Sequence, residues 1–378
     1  MIATSQRYSE LHPEVTIQWE KRSLQEFADA PIQSLVGRYD LLVIDHPWAG
    51  YAAQSRALPP LNEHLPEGFL QDQAAHSVGQ SHDSYRFDGR QTALAIDAAA
   101  PVASWRADVL ERKGLDVPRD WEGPLKLAKK GLVVFPAISI DSLMNFYMFC
   151  LAHGEDPFTD GEKVVSEPAG RAALESLREL AALCRPEIFQ WNPIKVYEAM
   201  AAAGDDIGYC PFAYGYSNYA REGYAPHLLT FGDLITFGGR GGRGRLRSTL
   251  GGTGLAVSSA CRHKAEALSY VQYAASSGIQ RTLYTESGGQ PGHRSAWTDA
   301  ETNRRTGGYF AGTPPALDRA YVRPRYSGYL HFQDRAGDFV RGYMMHGGDP
   351  ARVLGELDRL YRESLITAKG NAHERSKV

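Results

Sequence analysis

Several functional classes are excluded by what the 378-residue chain lacks. No apolar run approaches the ~20 residues that span a bilayer as a helix. Basic residues are not in excess: 41 Lys and Arg against 44 Asp and Glu leave a formal charge of −3, which argues against a nucleic-acid-binding surface. Cysteine is scarce. Cys150, Cys184, Cys210 and Cys261 are far apart and form no CxxC, which argues against a cysteine metal site and leaves a disulfide open. HExxH, GxSxG and Walker A patterns are absent, so no catalytic residue, cofactor or metal is expected. The opening MIATSQRYSELHPEV has no basic stretch followed by an apolar one, so no secretory signal is read there. Internal repeats are also absent.

What is present is ordinary globular composition, with 43% hydrophobic and 22% charged residues, in a length that suits two domains. The most informative stretch is Tyr39–Trp48, YDLLVIDHPW. Leu41–Ile44 is an unbroken apolar run, the kind buried on both faces inside a parallel sheet. Pro47 stops it, and strand ends line ligand crevices in open α/β sheets. Asp45, His46 and Trp48 are therefore expected at the rim of a cleft, an ordinary polar turn being the alternative.

Around that stretch the order α, β, α, β predicts a doubly wound α/β fold. Ile2, Tyr8 and Leu11 share one face of a first helix. Val15–Trp19 alternates as a strand, and Ser23–Glu26 reads as a capping box for a helix burying Leu24, Phe27 and Leu35. Leu58–Phe69 reads as a connection and residues 76–90 as loop and hairpin. Gln91–Ile96 is a strand delivering Asp97 to its end, and Ala98–Trp105 an extended crossing. Asp120–Lys130 reads as a helix, Gly131–Phe135 as a strand, and Asp141 and Ser142 precede the helix Leu143–His153. Helices Glu167–Leu183 and Tyr197–Ala203 follow, then a strand Ile207–Pro211 before Tyr214 and Tyr216. Residues 238–247 hold a literal GxGxxG (Gly239, Gly241, Gly244), but Leu246–Val257 reads as strand, not the helix a dinucleotide fingerprint needs. A flexible surface loop is expected there instead. Helix His263–Ala275, the loop Gly288–Arg294, an aromatic loop Arg323–Phe332 and a last helix ending near Lys369 complete the chain.

The turn Leu11–Val15, YDLLVIDHP, the crossing Ala95–Trp105, LGGTGLAV at Leu250–Val257, the GGQPGHR loop and the late aromatic loop occur in an order that resembles the family 1 extracellular solute-binding proteins of ABC importers. This class includes the maltose-binding proteins. The resemblance implies two α/β lobes, each a doubly wound sheet with flanking helices, with ligand in a cleft that closes by a hinge. Lobe one would hold residues 1–98 and 252–298, and lobe two residues 103–248 and 304–378. Crossings would fall near 98–102, 249–252 and 297–303. The resemblance also implies a carbohydrate-like solute, ABC permease subunits as partners, a monomer, no enzyme activity, and a periplasmic or cell-surface location. A central strand precedes the first helix in this family, so the chain is expected to begin one strand late and to gain stability from an upstream extension.

Sugars present hydroxyls on their rim and C–H bonds on their faces, so a site needs carboxylates or amides with stacked aromatic rings. Asp45 and Asp97 are assigned hydroxyl acceptance, a helix cap or turn being the alternative, beside His46 and Trp48; for Asp141 and Ser142 a helix-cap role is as open as a ligand role. Trp191, Asn192, Tyr214, Tyr216, Tyr326 and Tyr329 fall where the resemblance places aromatics and amides, with core roles as the alternative. Gly251 and Gly252 could admit ligand close to the backbone or form a bulge. Arg294 could bind a polar ligand or face solvent. The alternative function is a glycoside hydrolase using Asp45 and Asp97 as a carboxylate pair.

Overall fold

The computed structural model describes residues 1–22, 32–202, 204, 206–238 and 244–373. The chain forms two units. One holds Met1–Ala99, Leu250–Arg304 and Arg325–Ser327; the other holds Ala100–Thr249, Arg305–Pro324 and Gly328–Val378. Strands β1 (Leu41–Ile44), β2 (Arg86–Phe87), β3 (Arg90–Gln91), β4 (Leu94–Ala99), β5 (Pro101–Trp105), β6 (Tyr209–Tyr214), β7 (Thr230–Gly232) and β8 (Gly251–Val257) run in chain order. The longer helices are α1 (Ile2–Leu11), α2 (Glu67–Ala75), α3 (Ser139–Ala152), α4 (Glu167–Ala181), α5 (Pro193–Ala202), α6 (Lys264–Ala275), α7 (Tyr329–His346) and α8 (Pro350–His373).

In the first unit β8 is the central strand of the order β1-β8-β4, antiparallel to both neighbours. Side chains alternate across this sheet. Leu94, Ile96, Leu255 and Val257 face a core with Tyr8, Tyr270, Val271 and Ala274 from α1 and α6. Leu42, Ile44, Ala93, Ala95 and Ala256 face the opposite core with Tyr51, Leu58 and Tyr85. Gly254 is required here, because a Cβ would overlap the Tyr85 ring. Arg325 belongs to this unit through three main-chain acceptors: its guanidinium donates to the carbonyls of Asp83 (2.8 Å), Ser84 (3.1 Å) and Arg86 (2.7 Å).

Several expectations for this unit need correction. The apolar run Leu41–Ile44 is a strand, but its described partner is the antiparallel β8, and Leu41 and Val43 stay half-buried. An apolar run signals cover on two faces and carries no information on strand direction. Val15–Trp19 alternates in burial yet forms no strand. Its pattern fixes a face, whereas a strand also needs a ladder partner. Between this segment and β1 lies a groove of about 1240 Å³ lined by Val15, Ile17, Trp19, Leu41 and Val43. In α1 only Tyr8 of the three expected apolar positions is buried; Ile2 and Leu11 are exposed. Leu58–Phe69 is not pure connection, since α2 begins at Glu67. Asp97 sits inside β4 at a register shift, not at its end. The Ser23 capping box and residues 239–243 of the Gly-rich run lie outside the described residues.

The second unit carries the antiparallel order β6-β5-β7. Gly131–Phe135 contributes a single parallel bridge, Val133 to Tyr209, in place of the expected strand. α3 is buried along its length from Asp141 to Ala152 and packs against α4 and α7. It starts at Ser139, four residues earlier than its first expected apolar position, so Asp141 and Ser142 lie in its first turn and Ile138 is the N-cap. The expected aromatic loop at Arg323–Phe332 ends early, because α7 begins at Tyr329 and buries both Tyr329 and Phe332. The last helix runs to His373, beyond the expected end.

Gly337 lets α7 approach the start of α3, since a Cβ there would overlap the Ser139 carbonyl oxygen. The obstacle is backbone, which cannot rotate away. Gly337→Ala is expected to destabilise the fold by about 1–3 kcal/mol, as overpacking does. Urea denaturation of the two proteins checks this, and equal midpoints would show that the helices separate at little cost.

Candidate functional site

The first unit gathers carboxylates at one level of its sheet. Ile44 is paired with Gly254, and Asp97 with Thr253 on the opposite side of β8. Asp45, one residue beyond Ile44, and Asp97 therefore flank Thr253, roughly 9–10 Å apart at two strand spacings. Asp45 Oδ1 accepts the His46 N–H (2.8 Å) and starts the short helix His46–Trp48. Pro47 within that turn has no N–H to contribute to a ladder, which explains the strand's end. His46 lies fully buried, edge-on to Tyr85, and so is placed beneath the expected rim. Trp48 packs edge-on against Tyr51.

Asp97 is held from the loop 288–293. The Gln290 N–H donates to Asp97 Oδ2 (3.1 Å), and the Ala98 N–H donates to the Gln290 carbonyl (2.8 Å). The Tyr284 hydroxyl faces the same carboxylate oxygen at 3.5 Å. Burial pushes Asp97 up to about 6, opposed by these two donors. Gly252, at φ 100°, lies against the Asp97 carbonyl where a Cβ would overlap it, so this glycine serves strand-to-strand approach. Gly251 pairs with Ala99 in the same ladder. Arg294 is spent on structure, its Nε donating to the Ser77 carbonyl (3.2 Å). Tyr326 belongs to the short return Arg325–Ser327, beside Gly50.

In the second unit the start of α3 forms the other candidate set. Asp141 is only 5% exposed, and its Oδ2 has no hydrogen-bond partner among the described residues. Burial alone pushes it up to about 8. The turn holding it is fixed: Ser142 Oγ donates to the Ala137 carbonyl (3.0 Å) and Asn145 Nδ2 to the Pro136 carbonyl (3.1 Å). Ser142 is fully buried in that bond, so its expected ligand role is replaced by an anchoring one. Trp191 is brought to the same place, because the Ala137 N–H donates to its carbonyl (3.3 Å). Its side chain stays half-buried.

The remaining candidates of this unit divide. Asn192 caps α5, its Oδ1 accepting the Lys195 N–H (2.9 Å). Tyr214, at the end of β6, shares a 2.9 Å hydrogen bond with the Thr249 hydroxyl, and Tyr216 lies edge-on to Tyr197. Tyr329 is corrected to a core residue: it is fully buried, its hydroxyl meets that of Tyr147 (3.3 Å), and Phe158 packs on its ring. Among the described residues, the one His, Cys, Asp and Glu group within ligating reach is Asp72, His76 and His293, the last of them three residues beyond Gln290.

The sequence profile of the bacterial extracellular solute-binding proteins matches residues 2–281. The chain belongs to this family. Solved solute-binding proteins share its fold. Maltose-bound MalE3 of T. maritima matches with TM-score 0.81 and 16% identity over 95% of this chain and 94% of that one. A ribitol complex from Agrobacterium radiobacter K84 matches with TM-score 0.77 and 17% identity over 96% of each chain. A complex with α-D-tagatose from Thermotoga lettingae matches with TM-score 0.79 and 16% identity, over 96% of this chain and 95% of that one. At such identities the likeness establishes the mixed α/β fold of two-lobed periplasmic binding proteins. No curated protein sequence matches significantly. No described helix is long and apolar enough to cross a membrane.

Sequence reasoning missed Gln290 and Tyr284, because a backbone donor carries no side-chain signature and Tyr284 lies in a helical stretch. The two raised carboxyls give the solute-binding protein a defined pH response. The folded chain keeps protons on Asp97 and Asp141 that the unfolded chain releases near the ordinary value of 3.8. This stabilising difference is fully present below about pH 4 and is lost as pH rises through about 6 for Asp97 and about 8 for Asp141. Asp141→Asn is expected to flatten the decline between pH 6 and 8, measured by urea denaturation across pH. An unchanged slope would show that Asp141 does not carry it.

Proposed function

We propose that the chain is the substrate-binding component of an ABC importer that captures a small polar solute, a carbohydrate or polyol, by hinge closure. Delivery is to the transmembrane permease subunits, from the periplasm or cell surface, with the chain acting as a monomer and without nucleic acid. The observation that carries this reading is Asp141: a buried carboxylate oxygen without a partner among the described residues, on a turn whose Ala137 is bonded to the main chain of the half-buried Trp191. An unsatisfied buried acceptor is costly, and a ligand hydroxyl supplies the donor it lacks. The indole offers an apolar face for sugar C–H groups. Asp45 and Asp97, level with one another on the first unit's sheet, provide further acceptors, with Tyr214 and Tyr216 as polar aromatics. Family membership supports the transport role, and the maltose, ribitol and tagatose bound by similar proteins support the solute class.

The glycoside hydrolase alternative finds less support. Asp97 accepts a backbone N–H and Asp45 is engaged by its own helix start, so both carboxyls are held by the fold, and the family to which the chain belongs is one of solute-binding proteins. Product analysis after incubation with candidate sugars separates the readings, since a binder raises the melting temperature without forming product.

Calorimetry over sugars, polyols and sugar acids is expected to identify a ligand. Asp141→Ala, Asp97→Ala and Trp191→Ala should then each weaken it while leaving the fold intact. A hydrogen bond to a charged group is worth about 1.5–3 kcal/mol, roughly ten- to 150-fold in affinity. Wild-type affinity in all three variants would remove these residues from the site. A donated hydroxyl favours ionised Asp141, so binding should release a proton near neutral pH and tighten as pH rises. Calorimetry in two buffers of different ionisation heat reads that proton directly. Small-angle scattering is expected to show a smaller radius of gyration at saturation, and no change would count against hinge closure.

A further inference from the structure

We propose that Asp72, His76 and His293 form a binding site for a divalent transition-metal ion of the Zn²⁺ type. All three residues belong to the first unit. Asp72 stands in the last turn of α2, and His76 is that helix's C-cap, four residues on. Residues at this spacing share a helix face. His293 arrives from the loop after Gly292. Main-chain bonds hold it in register: the Arg294 N–H donates to the His76 carbonyl (2.7 Å), and the Val78 N–H to the Gly292 carbonyl (3.1 Å). Ser77 and His293 thereby form an antiparallel bridge.

The side chains converge as ligands would. His76 Nδ1 lies 2.9 Å from Asp72 Oδ1, and His293 Nε2 lies 3.2 Å from Asp72 Oδ2. The two imidazoles stack with centroids 5.1 Å apart and planes 24° apart. One ligand atom from each residue falls within 4.8 Å of the others. Tetrahedral Zn²⁺, at bond lengths of about 2.0–2.2 Å, sets its ligand atoms roughly 3.3 Å apart, so only small rotations are needed. Two nitrogens and one carboxylate oxygen suit Zn²⁺, Cu²⁺ or Ni²⁺, and do not suit Mg²⁺.

A second observation is independent of the ligand atoms. Metal-bound histidines donate their other ring N–H to an acceptor that fixes the tautomer. His293 Nδ1 is held on that side: it accepts the Ser295 N–H (3.2 Å) and lies 2.8 Å from the Ser295 hydroxyl, so an ion at Nε2 displaces the ring proton now shared with Asp72. His293 is 3% exposed while His76 and Asp72 are open to solvent, so an ion has an entry path and a rigid buried anchor. Three protein ligands leave a fourth position for water, as in open zinc sites. A bound ion would clamp the C-terminal end of α2 to the loop whose Gln290 holds Asp97. The inference does not depend on what solute the protein binds.

The test uses the full chain, stripped with a chelator and dialysed. Titration with ZnCl₂ is expected to show one site, and titration with MgCl₂ none. His76→Ala and Asp72→Asn alter exposed positions and should keep the metal-free melting temperature. Each should weaken Zn²⁺ binding by at least the roughly 10–100-fold that loss of an outer partner costs. His12→Ala, a half-buried histidine elsewhere in this unit, should bind as wild type. Ser295→Ala should weaken binding less than either ligand variant. Absence of Zn²⁺ binding by the wild-type chain, or wild-type affinity in both His76→Ala and Asp72→Asn, would overturn the proposal. In that case the cluster is an ordinary hydrogen-bonded tie between α2 and the loop.

Discussion

The two-sided pairing of β8 is the constraint on which the first unit depends. A strand hydrogen-bonded on both edges and covered on both faces cannot shift register without exposing every apolar side chain it carries. Its partners β1 and β4 are thereby fixed relative to one another, although they are not paired with each other. Glycine makes this possible twice. At Gly254 it leaves room for the Tyr85 ring, and at Gly252 it permits the strand to approach the Asp97 carbonyl. The Asp97 side chain projects from the same short length of β4, at the point where the register shifts. Bulges of this kind re-aim a side chain, and they occur beside functional sites.

The second unit reaches a similar end by other means. There the rigid element is α3, buried on all sides, and its first turn is tied back to the preceding chain by Ser142 and Asn145. A carboxyl carried on such a turn cannot swing toward water to relieve its desolvation. This explains why Asp141 stays unpaired while most buried polar groups find partners. Fold stability elsewhere in the unit offsets the cost.

Much of this was legible in the sequence. Hydrophobic periodicity located α3, α4 and α6, and the Gly-interrupted run located β8, because these segments bury a face that their own residues specify. The family resemblance was legible through the order of several weak stretches, each unremarkable alone. Pairing was harder to read. Leu41–Ile44 looks the same beside a parallel or an antiparallel partner, and Val15–Trp19 has a strand's alternation without a strand's neighbour. Residue roles were harder still. Tyr329 and Ser142 have the chemistry of ligand contacts, but a shift of a few residues in a helix start moves both into the core. The partners of Asp97 come from nearly two hundred residues away, through a main-chain N–H that no residue type announces.

The return of the chain at Arg325 has a consequence for synthesis. This guanidinium closes on the carbonyls of Asp83, Ser84 and Arg86, all made far earlier. Translation proceeds at about 5–20 residues per second, so the intervening stretch takes roughly ten to fifty seconds. Through that interval the first unit must wait, its β8 also still to come, while the second unit is assembled between its parts. A nascent chain of this kind exposes an incomplete sheet for a time that chaperones can act on. Delay in its folding is written into the order in which its pieces leave the ribosome.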